Sequence, residues 1–138
     1  MSTDIEVILP NNMDEAIETF KLFYENSIDT IKNLSEKDFI SSNHFGAGMF
    51  IRNSWFLWWH EGHAYPNWPK EKPKLIEYFH SINIYHADDI SSILLTSLHR
   101  HLNNKPLEIE QQAKNYIDYW SIDMQKKKRK YVIILLLV

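Results

Sequence analysis

Apolar residues recur along most of this chain at spacings of three and four, the period of a helix with one face turned inward. Met13, Ile17, Phe20, Tyr24, Ile28 and Ile31 form the first such face, and Asn12 or Asp14 is placed to cap its start. Ser35 and Asp38 have the order of a capping box, with Asp where Glu or Gln is usual, and predict a short helical turn through Ile40. Pro73 suits the first turn of a helix whose Leu75, Phe79 and Ile82 share a side. Asp88 or Asp89 is expected to cap a strongly amphipathic helix reaching about Leu102. Its Ile90, Leu94, Leu98 and Leu102 face the core, and Ser92, Thr96, His99 and Asn103 form the opposite polar line. The stretch from Asn103 to Pro106 stops it. A last clear helix over about 108–121 turns Ile109, Ala113, Tyr116 and Trp120 inward.

Residues 44–59 break this pattern. They hold two of the three glycines, three of the five tryptophans and Arg52 among large apolar neighbours. At about 100° per residue the apolar side chains of 45–59 surround the axis, which predicts a helix buried on most sides. Residues 60–72, with Gly62, Pro66, Trp68 and Pro69, read as the longest loop. A short strand is an open alternative at either end, over 4–10 (Ile5, Val7 and Leu9 alternate) or in the apolar run 131–138. The expectation is an all-α fold: one compact domain of about five helices around a Trp-rich central helix. That domain spans residues 1–125, and 126–138 form a basic-apolar extension.

Composition narrows the class. The 138 residues suit one domain with a real core, and 44% hydrophobic content is that of a folded chain. A net charge of −3 gives no bulk attraction for nucleic acid or anionic lipid, so nucleic acid is the less favoured partner. With no cysteine, disulfides, thiolate zinc sites and cysteine nucleophiles are excluded. The N-terminal residues carry no signal-peptide pattern, and no apolar run approaches the roughly 20 residues of a membrane span. The expected location is cytoplasmic.

Five places can carry chemistry. On a helix, His44, Gly48, Arg52, Trp55 and Trp59 share a side, so Arg52 can grip a phosphate or carboxylate while Gly48 admits a close approach. The favoured reading is an internal ion pair with Asp88 or Asp89. The two aspartates are also candidates for acid–base or metal chemistry, against which stand capping and the helix dipole. His60 and His63 are three apart rather than the four of the zinc-protease pattern, and neither a metal nor a cofactor is expected. Tyr65 and Trp68 on the loop are candidate interface anchors, with folding back over the core as the equal alternative. Finally, the basic run 126–130 beside an apolar octet makes attachment to a membrane surface an option.

The residues from His44 to Trp58 (His-Phe-Gly-x-Gly-x-x-Ile-Arg-Asn-x-Trp-x-Leu-Trp), followed by His86, Asp88, Asp89, Ser91, Ile93, Leu94, Arg100, Leu102 and Asn103, carry a resemblance. The stretch of roughly 34–120 resembles a family of small bacterial domains of unknown function. The resemblance implies that His44, Arg52, Asn53, Asp88, Asp89 and Arg100 form one recurring constellation, and it implies no activity. Here the link after the tryptophan is the longer, aromatic 60–72 loop. The functional expectation is a small binding protein, of accessory, inhibitor or immunity type, using Tyr65, Trp68, Arg52 and Arg100 on a protein partner. The alternatives are an enzyme or nucleotide-binding domain built on His44, Arg52, Asn53, Asp88 and Asp89, and surface attachment to a membrane through the C-terminal run.

Overall fold

A computed structural model describes residues 9–137, and they fold around a single helix. In chain order the elements are α1 (Met13–Phe23), α2 (Ile28–Asn33), α3 (Glu36–Asn43), a π-helical turn (His44–Gly48), α4 (Met49–Ser54), α5 (Lys74–Ser81), α6 (Ala87–Leu102) and α7 (Ile109–Leu136). Among the described residues there is no strand, and the fold is all-α. The central element is α6, which touches α1, α2, α3, the π turn, α4 and α7. Its Ile90, Ile93, Leu94, Leu95 and Leu98 are buried, each worth about 1.5–3 kcal/mol relative to exposure.

The polar side of α6 does not face water as its amphipathic pattern suggests. Ser91, Thr96, Ser97 and His99 are buried, and three of them pin neighbouring segments. The Ser91 hydroxyl accepts from Arg52 of α4, and the Ser97 hydroxyl accepts from Gln112 of α7. His99 donates from Nε2 to the Leu34 carbonyl at 2.7 Å and lies stacked on Phe39. Polar positions next to an apolar stripe become core positions when other helices wrap the whole cylinder and supply hydrogen-bond partners.

The central place expected for the Trp-rich segment thus belongs to α6, and residues 44–59 are less regular than their apolar run predicts. α3, the π turn and α4 run on from one another, and α4 stops at Ser54. The stop is a Schellman turn: the Leu57 N–H reaches the Arg52 carbonyl at 3.0 Å across Phe56, which has φ of +56°. A left-handed phenylalanine is unfavourable, and no glycine advertises the turn. Burial of Trp55, Leu57 and Trp59 holds it in place, since all three pack inward only once the chain has bent.

Other boundaries follow local chemistry. Asn12 accepts from the Glu15 N–H and Ser35 from the Asp38 N–H, as their capping positions predict. The first apolar face is split, because the chain turns between α1 and α2. His86, rather than Asp88 or Asp89, caps α6, its Nδ1 accepting the Asp88 N–H at 3.1 Å. The two aspartates occupy the first turn, where the helix dipole favours them. Residues 131–136, for which a strand was an alternative, continue α7 as helix. The alternating residues Ile5 and Val7 lie outside the described residues.

Candidate functional site

Arg52 is the buried arginine among the described residues. Its side chain is only 6% exposed, yet each of its three nitrogens has a partner. Nη1 donates to the Ser91 hydroxyl at 3.0 Å, Nη2 donates to the His44 carbonyl at 2.9 Å, and Nε lies 3.3 Å from Asp88 Oδ1. Ser91 in turn donates to the Asp88 carbonyl at 2.9 Å, so arginine, serine and aspartate close a small network at the start of α6. The guanidinium therefore joins the π turn and α4 to α6. Asp88 is 43% exposed and forms the outer lip of this network. A buried charge is tolerable when it is paired and hydrogen-bonded; here Asp88 supplies the counter-charge, and Ser91 and the His44 carbonyl accept a hydrogen bond each.

The remaining residues of the suspected constellation do not converge on one point. Asp89 points away from Asp88 and accepts from the Trp120 indole N–H at 2.8 Å. Asn53 is exposed at the end of α4, and the half-buried His44 ring packs edge-on against Phe45. Arg100 sits toward the opposite end of α6, donating to Glu36 Oε1 at 2.8 Å and to the Leu107 carbonyl at 2.7 Å. That hydrogen bond holds the Glu36 carboxyl below the ordinary carboxylate range and pushes the Arg100 guanidinium up. Among the described residues no three His, Asp or Glu side chains converge in a metal-like cluster.

The 60–72 loop folds onto the body. The Pro69 carbonyl accepts from Trp59 Nε1 at 2.8 Å and from His63 Nε2 at 3.0 Å, cinching the loop at its base. Trp68 is half-buried and packs against Phe56, His63 and Tyr65, with the Tyr65 ring 4.4 Å away on its outer side. Of the two loop aromatics, Tyr65 is the exposed one.

A groove that the sequence pattern did not single out lies between α7 and the turn entering α6. Its volume is about 480 Å³, and Asn83, Ile84, Tyr85, His86, Asp89, Ile117 and Trp120 line it. Tyr85, Ile117 and Trp120 expose apolar surface there, and the exposed Trp58 stands edge-on to His86 at 5.6 Å. The indole of Trp120 lies 5.9 Å from the same imidazole. Two polar side chains, Asp89 and His86, sit among these apolar walls. Trp120 was expected to face the core; it lines this groove because its N–H reaches the Asp89 carboxylate. Adjacent aspartates point about 100° apart on a helix, so the first turn of α6 sends one to Arg52 and the other to the groove.

No curated protein and no solved structure matches the chain. One family model matches residues 9–102, which takes in α1 to α6 with the Arg52 network and the Arg100–Glu36 pair, and leaves Leu107 and the α7 wall of the groove outside. The matched stretch is well over half of the chain, and the protein belongs to the family described as a domain of unknown function, DUF6794.

Proposed function

We propose that this protein is a small binding domain, of accessory, inhibitor or immunity type in a bacterial competition or defence setting, and that the groove beside α7 receives an apolar segment of a protein partner. The observation that carries the reading is the exposed quartet Trp58, Tyr85, Ile117 and Trp120 around His86 and Asp89. Large rigid aromatics at the rim of a concave surface bring much contact area at little entropic cost, and tryptophan and tyrosine dominate interface hot spots. Asp89 supplies a directional acceptor for a cation or N–H of the entering segment.

The alternative of an enzyme or nucleotide-binding domain is less well supported. Its anion-gripping residue would be Arg52, and that guanidinium is already shared among Ser91, His44 and Asp88. A phosphate would have to displace a buried network.

The test is affinity capture from the native host with the tagged chain and with the double variant Tyr85→Ala, Trp120→Ala. The expected result is a stoichiometric protein partner that the variant loses while its thermal melt stays in place. Capture of a nucleotide and no protein, or a partner retained by the variant, would move the binding site elsewhere.

A further inference from the structure

The outer half of α7 has a design that the groove does not use. The helix is 28 residues long, about 42 Å, and only its first turns are packed. Gln112 and Ala113 are buried, and Tyr116 is half-buried. Beyond Tyr116 the described side chains are exposed, apart from the half-buried Asp123. The helix carries the cationic run 126–130 about 15 Å past Tyr116, and the apolar residues 131–137 follow directly.

Two features of this end distinguish its occupant. Ile133, Ile134, Leu135 and Leu136 are consecutive, so at about 100° per residue they point to all sides of the axis. Each is exposed, and Leu135, Leu136 and Leu137 are 75%, 80% and 82% exposed. A helix docking on a protein groove needs one apolar stripe with a polar back; an end that is apolar all round suits a medium that surrounds it. The five cations before it likewise encircle the axis, forming a collar in which Lys127 also pairs with Asp123 at 3.2 Å. A cationic ring followed by an apolar tip matches the order of layers in a bilayer, anionic headgroups and then hydrocarbon.

We infer that the end of α7 inserts into anionic membrane surfaces, its apolar tip entering the acyl region and the 126–130 collar resting among phosphate and carboxylate headgroups. Residues 131–137 reach about 10 Å along the axis, a third of the hydrocarbon thickness, and among the described residues no helix is long and apolar enough to cross a membrane. The attachment combines two weak signals, a short apolar segment and a polybasic patch, and is reversible for that reason. Charge orients the molecule as well. The chain has a net charge of −3, so without the five cations of the collar it carries −8. Anionic lipid therefore attracts the collar and repels the body. The spacer of about 15 Å holds the body beyond one Debye length of roughly 8 Å at physiological salt.

The test uses the full chain with vesicles of phosphatidylcholine alone and with about one third phosphatidylserine. Because the chain has no cysteine, Leu135→Cys and Ser121→Cys each accept a single environment-sensitive fluorophore. The expected result is sedimentation with the anionic vesicles that high salt reverses, and a blue shift of the label at position 135 with none at 121. Lys128→Gln with Lys130→Gln should weaken partition roughly tenfold or more. Three results would overturn the inference. The first is no binding to anionic vesicles at low salt. The second is vesicle-bound protein whose position-135 label stays in water. The third is a blue shift at 135 without vesicles, which would assign the tip to a second copy of the chain.

Discussion

Gly48 is the space through which Arg52 reaches its partners: a Cβ built on Gly48 would lie 2.9 Å from Arg52 Nη1 and 3.1 Å from the Asn43 carbonyl. The tip of an arginine usually moves aside cheaply. This one is held by Ser91, His44 and Asp88, so the glycine and the network require each other. The π turn that ends at Gly48 contributes the other half of the fit, because its first carbonyl, that of His44, is the acceptor for Nη2.

Gly48→Ala should therefore destabilise the fold by about 1–3 kcal/mol, the usual range for overpacking. Arg52→Ala should cost about 3 kcal/mol, since it leaves the Ser91 and His44 acceptors short of a donor inside the protein. The two changes should not add. In the Arg52→Ala background Gly48→Ala keeps one tight contact, with the Asn43 carbonyl, beside ordinary packing on Leu95, and a coupling of at least about 0.5 kcal/mol is expected from denaturant melts of the four proteins. Strict additivity would mean that the guanidinium is not what Gly48 accommodates.

The Glu36–Arg100 pair predicts an acid limb. Hydrogen bonding from Arg100 lowers the folded-state pKa of Glu36 below its ordinary 4.5, so the folded protein keeps this carboxylate ionised where the unfolded chain takes up a proton. The stabilisation is complete above about pH 4.5 and is lost as pH falls through the folded-state value. Glu36 is partly exposed and solvent screens the pair, so the effect is modest. Urea melts across acid pH should show a shallower loss of stability for Glu36→Gln than for the parent. Parallel profiles would remove this pair as a source of acid sensitivity.

The 60–72 loop should respond unequally to its aromatic residues. Trp59→Phe deletes the N–H that meets the Pro69 carbonyl and should cost about 1 kcal/mol, with faster proteolysis inside the loop. Tyr65→Ala removes an exposed ring and should change stability by less than about 0.5 kcal/mol. A large loss from Tyr65→Ala would show that the outer ring helps to hold the loop closed.

α7 should divide into a structural and a dispensable half. Ala113→Asp places a charge in the buried contact with α6 and should cost several kcal/mol, releasing the helix from the body. Removing residues 126–138 deletes no described buried side chain, so the melting temperature should stay within a degree or two of the parent. A marked drop on truncation would mean that the outer helix supports the fold.

The candidate site was legible only in part. Arg52 and Asp88 stand out because a lone charge among apolar neighbours must find a counter-charge, and an aspartate at a nearby helix start is a natural one. The groove left a fainter trace. Trp120 belongs to the helical stripe that the spacing turns inward, while Tyr85 sits in a turn with no periodicity, and nothing local places it opposite a helix that begins 24 residues later.

By itself the sequence determined what local chemistry controls. It determined the helical class, from apolar spacing, and the start of α3, from Ser35; it narrowed the start of α1 to Asn12 or Asp14 and placed that of α5 within one residue, at Pro73. It also determined the absence of thiol chemistry. The tertiary structure decided everything that depends on which surfaces meet. It made α6 rather than the tryptophan segment the centre, because six neighbouring elements pack against α6 and supply partners for Ser91, Ser97 and the Nε2 of His99. It ended α4 at a left-handed Phe56, because burying Trp55, Leu57 and Trp59 outweighs the strain of one residue. It sent Asp88 to Arg52 and Asp89 to the groove, because neighbours on a helix diverge and their partners come from segments far apart in the chain.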